Sequence, residues 1–166
     1  MIWGMSTHTF TLVHVILSLV GIFTGFIVLF GLLAGRRLDV WTAIFLASTV
    51  ATSVTGFGFP FEHFSPPHYV GVLSLLVLAV ALVARYAFHL RGSWRWMYVV
   101  GAAIALYLNV FVGVVQAFQK IPALKAMAPT QSEPPFAIAQ LVVLALFVAL
   151  AILATKRFGH APLHTA

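Results

Sequence analysis

The stretch FTLVHVILSLVGIFTGFIVLFGLL, residues 10–33, contains no Lys, Arg, Asp or Glu. A helix crossing a hydrocarbon core of about 30 Å needs about 20 mostly apolar residues, and this run supplies them. Four more runs follow, at residues 40–57, 69–89, 96–118 and 136–155. The joints carry breakers: GRRLD at 35–39, FPFEHFSPPH at 59–68, LRGSWR at 90–95 and PTQSEPP at 129–135. In lipid the backbone must satisfy its own hydrogen bonds, which favours helices. The segments lack the short alternation of a membrane β-barrel. The expected fold is therefore all-α: one domain, residues 1–166, forming a bundle of five transmembrane helices.

Composition agrees with that reading. The 166 residues are 62% hydrophobic and 7% charged, and the mean hydropathy is +1.07. Soluble domains are about a quarter charged, so a soluble enzyme is excluded. Disorder, which needs low hydrophobicity, is excluded too. With no cysteine, thiol catalysis, Cys-ligated zinc, iron–sulfur clusters and disulfides are excluded. The net charge of +6 is a topology signal and does not point to nucleic acid. Arg36, Arg37, Arg85, Arg91, Arg95, Lys156 and Arg157 fall on alternate joints and the C-terminal end, whereas the other joints hold Lys120 and Lys125. Basic residues stay on the cytoplasmic side, so the N-terminus is expected outside and the C-terminus in the cytoplasm. Trp41, Trp94 and Trp96 fall at that cytoplasmic interface, where amphipathic rings prefer to sit. Arg85, Arg91 and Arg95 read as headgroup anchors. The first span is not read as a cleaved signal peptide, because no basic residue precedes it and its apolar run is too long. His8, His160 and His164 fall in exposed ends.

With five alternating spans, the polar side chains gather in the outer leaflet. His14, Ser53, Gln116 and Gln140 lie near the outer ends of their spans, Asn109 lies about two turns deeper than Gln116, and Tyr69 opens the third. Polar groups in lipid cost free energy unless paired, so they should face the bundle interior. Two readings stand. The side chains bridge helices as structural glue, or they line one outward-opening pocket with His14, Ser53, Tyr69, Asn109, Gln116 and Gln140 as ligand-binding residues. His14, Glu62, His63 and His68 also suit zinc or copper, and His14 with His68 suits a bis-histidine haem b. Glu62, His63 and His68 would line the pocket mouth. The segment KIPALKAMAP, residues 120–129, reads as an amphipathic interfacial helix that either covers the pocket or merely connects spans. Asp39 can cap the second span, and Thr130 with Glu133 has capping-box spacing before the fifth. Gly21 and Gly25, like Gly31 and Gly35, have the spacing that lets helices approach closely; Ala145 and Ala149 repeat it on the fifth span.

No Asp or Glu lies inside a span, which argues against proton pumping and cation antiport. No phosphate-binding glycine motif is present. A triad of Glu62, His63 and Ser65 would need near-consecutive side chains to converge. No catalytic constellation emerges, so the reading leans away from an enzyme.

The run LNVFVGVVQAFQKIPALKAMAPTQSEPPF, residues 108–136, with TSVTGFGFPFE, residues 52–62, resembles small bacterial integral membrane proteins that have no assigned activity. The resemblance implies a bacterial inner membrane, with "outside" meaning the periplasm, and brings no catalytic or cofactor residue. The expected function is a ligand-, lipid- or quinone-binding protein or an accessory subunit of a membrane complex. Haem or metal redox chemistry is the alternative, and an uncoupled channel or transporter is a third. Expected partners are the lipid bilayer and either a second copy or a larger complex.

Overall fold

The computed structural model describes residues 1–162, so His164 lies outside the described residues. The helices are α1 (Thr7–Leu33), α2 (Asp39–Gly56), α3 (Pro66–Leu82), α4 (Trp94–Lys120), α5 (Pro122–Met127) and α6 (Pro134–His160). A turn of π-helix, Val83–Ala87, extends α3. Prolines at the first turns of α3, α5 and α6 start those helices where no intrahelical N–H is needed. Among the described residues, four helices are long and apolar enough to cross a membrane: Thr7–Leu33, Pro66–Ala87, Trp94–Lys120 and Pro134–His160. The protein is thus an all-helical, multi-pass membrane protein. The second expected span, α2, does not reach that mark. It is 18 residues long, and its Ser and Thr residues dilute its hydropathy.

Cross-helix contacts fix the directions. His14 meets Thr55, and a methyl on Gly21 or Gly25 would touch Thr49 or Phe45, so α1 and α2 run antiparallel. Ser53 meets Ser74 and Asp39 meets Arg85, which makes α3 antiparallel to α2. Gly101 faces Ala81, and α4 reverses again. Gln140 bonds Phe111 and Phe158 packs on Tyr98, so α6 is antiparallel to α4. The five long helices alternate, and His14, Gly56, His68, Val112 and Gln140 fall toward one end of the bundle. Arg36, Asp39, Arg85, Tyr98 and Phe158 fall toward the other.

The core contains Val28, Leu32, Phe45, Leu46, Leu78, Ala81, Val99, Ala102, Ala105 and Leu106. Small residues draw the backbones together there. A methyl on Gly25 would lie 2.6 Å from Leu106 and 2.9 Å from Phe45, so α1 meets both α2 and α4 at that level. Gly21 and Gly25 are therefore intramolecular contacts. Ala145 and Ala149, by contrast, are exposed. So are Ile138, Leu141, Val142, Leu146, Val148 and Ile152 on the same helix, and α6 shows a broad apolar face outward.

Several local expectations are corrected. Asp39 does not cap α2: it is the first helical residue, and Leu38, in a left-handed conformation, holds the cap position. Its carboxylate is taken by two arginines instead. Thr130 does not cap α6 either. Glu133 is the cap residue, and its carboxylate accepts from the Thr130 N–H (3.2 Å) and hydroxyl (2.8 Å) and the Ser132 N–H (3.1 Å), which ties the preceding turn. Trp94 stacks on Phe88 at 4.1 Å between ring centres, while Trp41 and Trp96 are exposed.

Candidate functional site

A cavity of about 120 Å³ lies among α1, α2, α3 and α4, at the end that carries His14. Its polar wall is formed by His14, Ser18, Thr52, Ser53, His68 and Asn109, joined by Ser74. The sequence explains the clustering. His14 and Ser18 are four apart on α1, hence on one face. Thr52 and Ser53 sit one turn before the end of α2, and Gly56 and Gly71 leave space where a side chain would fill it. A methyl on Gly71 would lie 3.0 Å from the Phe57 ring.

His14 Nδ1 lies 2.8 Å from the Thr55 hydroxyl. That hydroxyl donates to the Ala51 carbonyl at 2.7 Å. A carbonyl can only accept and a hydroxyl has one proton, so His14 Nδ1–H donates to Thr55. The ring nitrogen of His14 left without a protein partner is Nε2. Phe59 packs edge-on to the ring at 5.3 Å and helps to hold it.

His68 has the opposite tautomer. Its Nδ1 accepts from the Ser65 N–H at 3.2 Å, with the Ser65 hydroxyl at 2.7 Å. Nδ1 is therefore unprotonated and Nε2 carries the hydrogen. The ring closes the N-terminus of α3 in the manner of a capping box, with imidazole in the place of Glu or Gln. Phe57, Phe61 and Phe64 pack around it at centroid distances of 5.7, 4.1 and 5.1 Å.

These tautomers bear on the haem and metal readings. Ligation through His68 Nε2 would move its proton to Nδ1 and break the cap. Among the described residues no three His, Cys, Asp or Glu side chains come together to hold a metal ion. Glu62 and His63 are exposed and line no part of the cavity. A cavity of about 120 Å³ is also far too small for a haem macrocycle. His14, His68, Glu62 and His63 do not fit either group.

Of the six expected pocket residues, the structure brings together three: His14, Ser53 and Asn109. Asn109 Nδ2 donates to the Thr49 hydroxyl at 3.2 Å. Tyr69 is 63% exposed and stacks edge-on against Phe64. Gln116 is exposed. Gln140 is buried, but its amide donates to the Phe111 carbonyl at 3.1 Å, and it lines no part of the cavity. Gln140 is glue between α4 and α6, with its own Oε1 left unpartnered. Nor does residue range 120–129 cover the opening: α5 has no buried residue and packs on α4. The sequence places Thr52 and Ser74 among the polar side chains of the second and third spans without marking them as pocket residues, and it gives no sign of Ser18. Their signal was spacing: Thr52 and Ser53 share the level of Ser74 once α2 and α3 are antiparallel.

A second polar cluster lies at the opposite end, and it corrects the reading of Arg85 as a headgroup anchor. Arg85 is 2% exposed. Its guanidinium donates to the Asp39 carboxylate, which also accepts from Arg37 Nε at 3.1 Å. The Arg85 guanidinium lies over the Tyr98 ring, 5.2 Å from its centre. The Tyr98 hydroxyl is 3.4 Å from that of Thr42. The π turn delivers Arg85 there: Phe88 N–H reaches back five residues to the Val83 carbonyl at 3.0 Å. Such turns are wider than an α-turn and re-aim the side chains they carry. Arg95 is likewise no free anchor. It donates to the Ala161 carbonyl at the end of α6 and lies over the Phe158 ring at 4.8 Å.

No family model, curated protein or solved structure matches this chain.

Proposed function

We propose that the protein is a five-span protein of the bacterial inner membrane that binds a small molecule in a cavity open to the periplasm, acting as a binding or accessory component of that membrane. The observation that carries this reading is the meeting of neutral polar side chains from four helices around one cavity, at the end remote from most basic residues. A cavity of about 120 Å³ is well below the ~300–1,000 Å³ of drug-sized sites. It is closer to the roughly 150 Å³ that takes up benzene in an engineered core. The ligand is accordingly a small solute; a quinone or an acyl chain is too large.

Two features support the fifth span and the orientation. Helix α2 runs antiparallel to both α1 and α3 from Asp39 to Gly56, about 27 Å at about 1.5 Å per residue. That is close to the thickness of the hydrocarbon core. The end holding Arg36, Arg37, Arg91, Lys156 and Arg157 is the cytoplasmic one by the positive-inside rule. The inner-membrane setting rests on the resemblance to bacterial membrane proteins. The outward apolar face of α6 suits lipid.

The chain contains no cysteine, so single-cysteine variants report one site each. Ser18→Cys and Thr52→Cys should react with a small membrane-impermeant thiol reagent added to the periplasmic side. Phe61→Cys should react from that side as well, and Arg36→Cys only after the membrane is opened. Labelling of Phe61→Cys and Arg36→Cys from the same side overturns the fifth span. Protection of both Ser18→Cys and Thr52→Cys from the impermeant reagent overturns the open cavity.

A further inference from the structure

We infer that a groove between α3 and α4, in the half of the bundle that carries Arg85, seats one acyl chain of an anionic phospholipid, with the headgroup held at Arg91. The site lies on the outside of the bundle and does not depend on the cavity proposed above.

The groove holds about 170 Å³. Val77 and Val80 of α3 form one bank, and Trp96, Val100 and Ile104 of α4 form the other. Gly101 makes the hollow. A methyl in its place would lie 3.3 Å from the Ala81 Cβ and 3.5 Å from the Val77 carbonyl, so the two backbones come close there and the floor between the larger side chains stays bare. Both helices are long and apolar enough to span. Val80, Trp96 and Ile104 are 41%, 50% and 37% exposed, so the groove opens toward lipid. From Trp96 to Ile104 it follows α4 for eight residues, about 12 Å at about 1.5 Å per residue. An acyl chain hangs from its headgroup in that direction and is thin enough for a slot. A helix of a second copy, about 10–12 Å across with its side chains, is too thick to sink into it.

The polar end of the groove calls for an anion. Trp96 lines the groove there, and its indole N–H is a donor at the depth where such rings meet headgroups. Arg91 stands one turn before α4: the Trp94 N–H bonds the Arg91 carbonyl at 3.1 Å, and Arg91 is exposed. Of the three acidic residues in the chain, Asp39 alone stands at this end, and Arg37 and Arg85 take it. Among the described residues Arg91 has no ion pair, and neither have Arg36, Arg95, Lys156 and Arg157. A lipid with a net negative headgroup supplies the missing counter-charge. One Lys or Arg close to an anionic lipid surface favours it roughly five-fold.

Tryptophan fluorescence reads the seat directly. Trp3→Phe, Trp41→Phe and Trp94→Phe leave Trp96 as the one tryptophan of the four. The full chain is placed in vesicles whose lipids carry bromine on their acyl chains. Brominated phosphatidylglycerol should quench Trp96 with about five-fold higher relative affinity than brominated phosphatidylcholine. Arg91→Gln should bring the two close to equal. Val80→Phe fills the groove from an exposed position, changes no charge, and should also remove the preference. Equal quenching by the two lipids in the parent overturns the anionic site. A preference that survives Val80→Phe overturns the groove and leaves only the general attraction of a basic surface. One that survives Arg91→Gln overturns the place of the headgroup. Native mass spectrometry of the chain with all four tryptophans keeps the proposal open to refutation if the triple replacement does not fold. One phosphatidylglycerol should be retained in preference to phosphatidylcholine, and Val80→Phe should abolish that preference. Paired chains without lipid, separated by Val80→Phe, would give the groove to a second copy and overturn the proposal.

Discussion

The two ends of the bundle handle buried polarity in opposite ways. At the His14 end no Lys, Arg, Asp or Glu lines the wall, the Thr52, Ser53 and Thr55 hydroxyls donate to carbonyls of their own helix, and the helices leave a cavity. At the Arg85 end a full charge is buried, and Asp39, Arg37 and Tyr98 close around it. The contrast follows from the cost of each group. A hydroxyl on a helix satisfies itself by donating to the carbonyl one turn back, as Thr52 and Thr55 do, so it asks nothing of its neighbours and tolerates space beside it. A guanidinium cannot do this. Its burial calls for a counter-charge, which Asp39 supplies to one guanidinium nitrogen while Arg85 Nη1 is left without a partner.

The largest predicted effect tests that difference. Asp39→Ala leaves Arg85 buried without its counter-charge; because the Asp39 side chain is itself 42% exposed, solvent offsets part of the loss, which should come to about 2–3 kcal/mol, read from thermal unfolding in detergent. Arg85→Met removes the buried charge itself and should cost clearly less, and adding Asp39→Ala to Arg85→Met should cost little more. Equal losses in the two single variants would mean that the pair is not what organises this end.

Between the ends, Gly25→Ala should destabilise by about 1–3 kcal/mol, because the new methyl meets Leu106 at 2.6 Å and Phe45 at 2.9 Å. Gly113→Ala makes an ordinary contact at 3.7 Å and should be close to neutral. A matched loss in both would point to helix backbone effects and away from close approach.

At the His14 end the expected losses are smaller. Thr55→Val removes the partner of His14 and should cost about 0.5–1.5 kcal/mol, with the His14 ring freed to turn. A loss as large as that of Asp39→Ala would erase the proposed distinction between the ends. The smallest effect lies outside the bundle, at Glu133. Lost hydration pushes its carboxyl up. The Thr130 hydroxyl and the N–H groups of Thr130 and Ser132 outweigh that and hold it below the usual carboxylate range. A depressed native value means that this tie is intact above the ordinary carboxylate pKa and is lost as pH falls through the native one. The protection of the Thr130 and Ser132 amides, measured against their intrinsic exchange rate at each pH, should therefore fall in acid, and Glu133→Gln should abolish that fall.

The sequence reveals depth well and azimuth poorly. Residues 10–33 read as one span, and the helix is Thr7–Leu33. Residues 136–155 read as another, and Pro134–His160 extends it at both ends, because a helix need not stop where the lipid does. Along the chain His14, Ser53 and Gln140 stand near one end of their helices and Asn109 nearer the middle of α4. Level alone cannot tell Asn109, which turns toward α2, from Gln140, which turns toward Phe111. That choice depends on which helices are neighbours, and α6 packs against α4 and α1, away from the cavity. The Asp39–Arg85 pair was hidden for a related reason. Arg85 stands near the arginines of the loop that follows, and by charge alone it looks like one of them. Asp39 and Arg85 do share one end of the bundle, and an acid and a base at one level are a signal worth reading.

The π turn at Val83–Ala87 works as a phase adjuster. Successive residues on an α-helix are rotated by about 100°, so one residue more or fewer changes which way everything beyond it faces. Deleting a single residue within the turn would let α3 continue as plain α-helix, and it would swing the chain that follows out of step with α4. Arg85 would then lose its place over Tyr98, or Leu90, now buried, would lose its own. The five residues therefore set a timing mark in the chain, and α3 meets its neighbours correctly at both ends because it contains one.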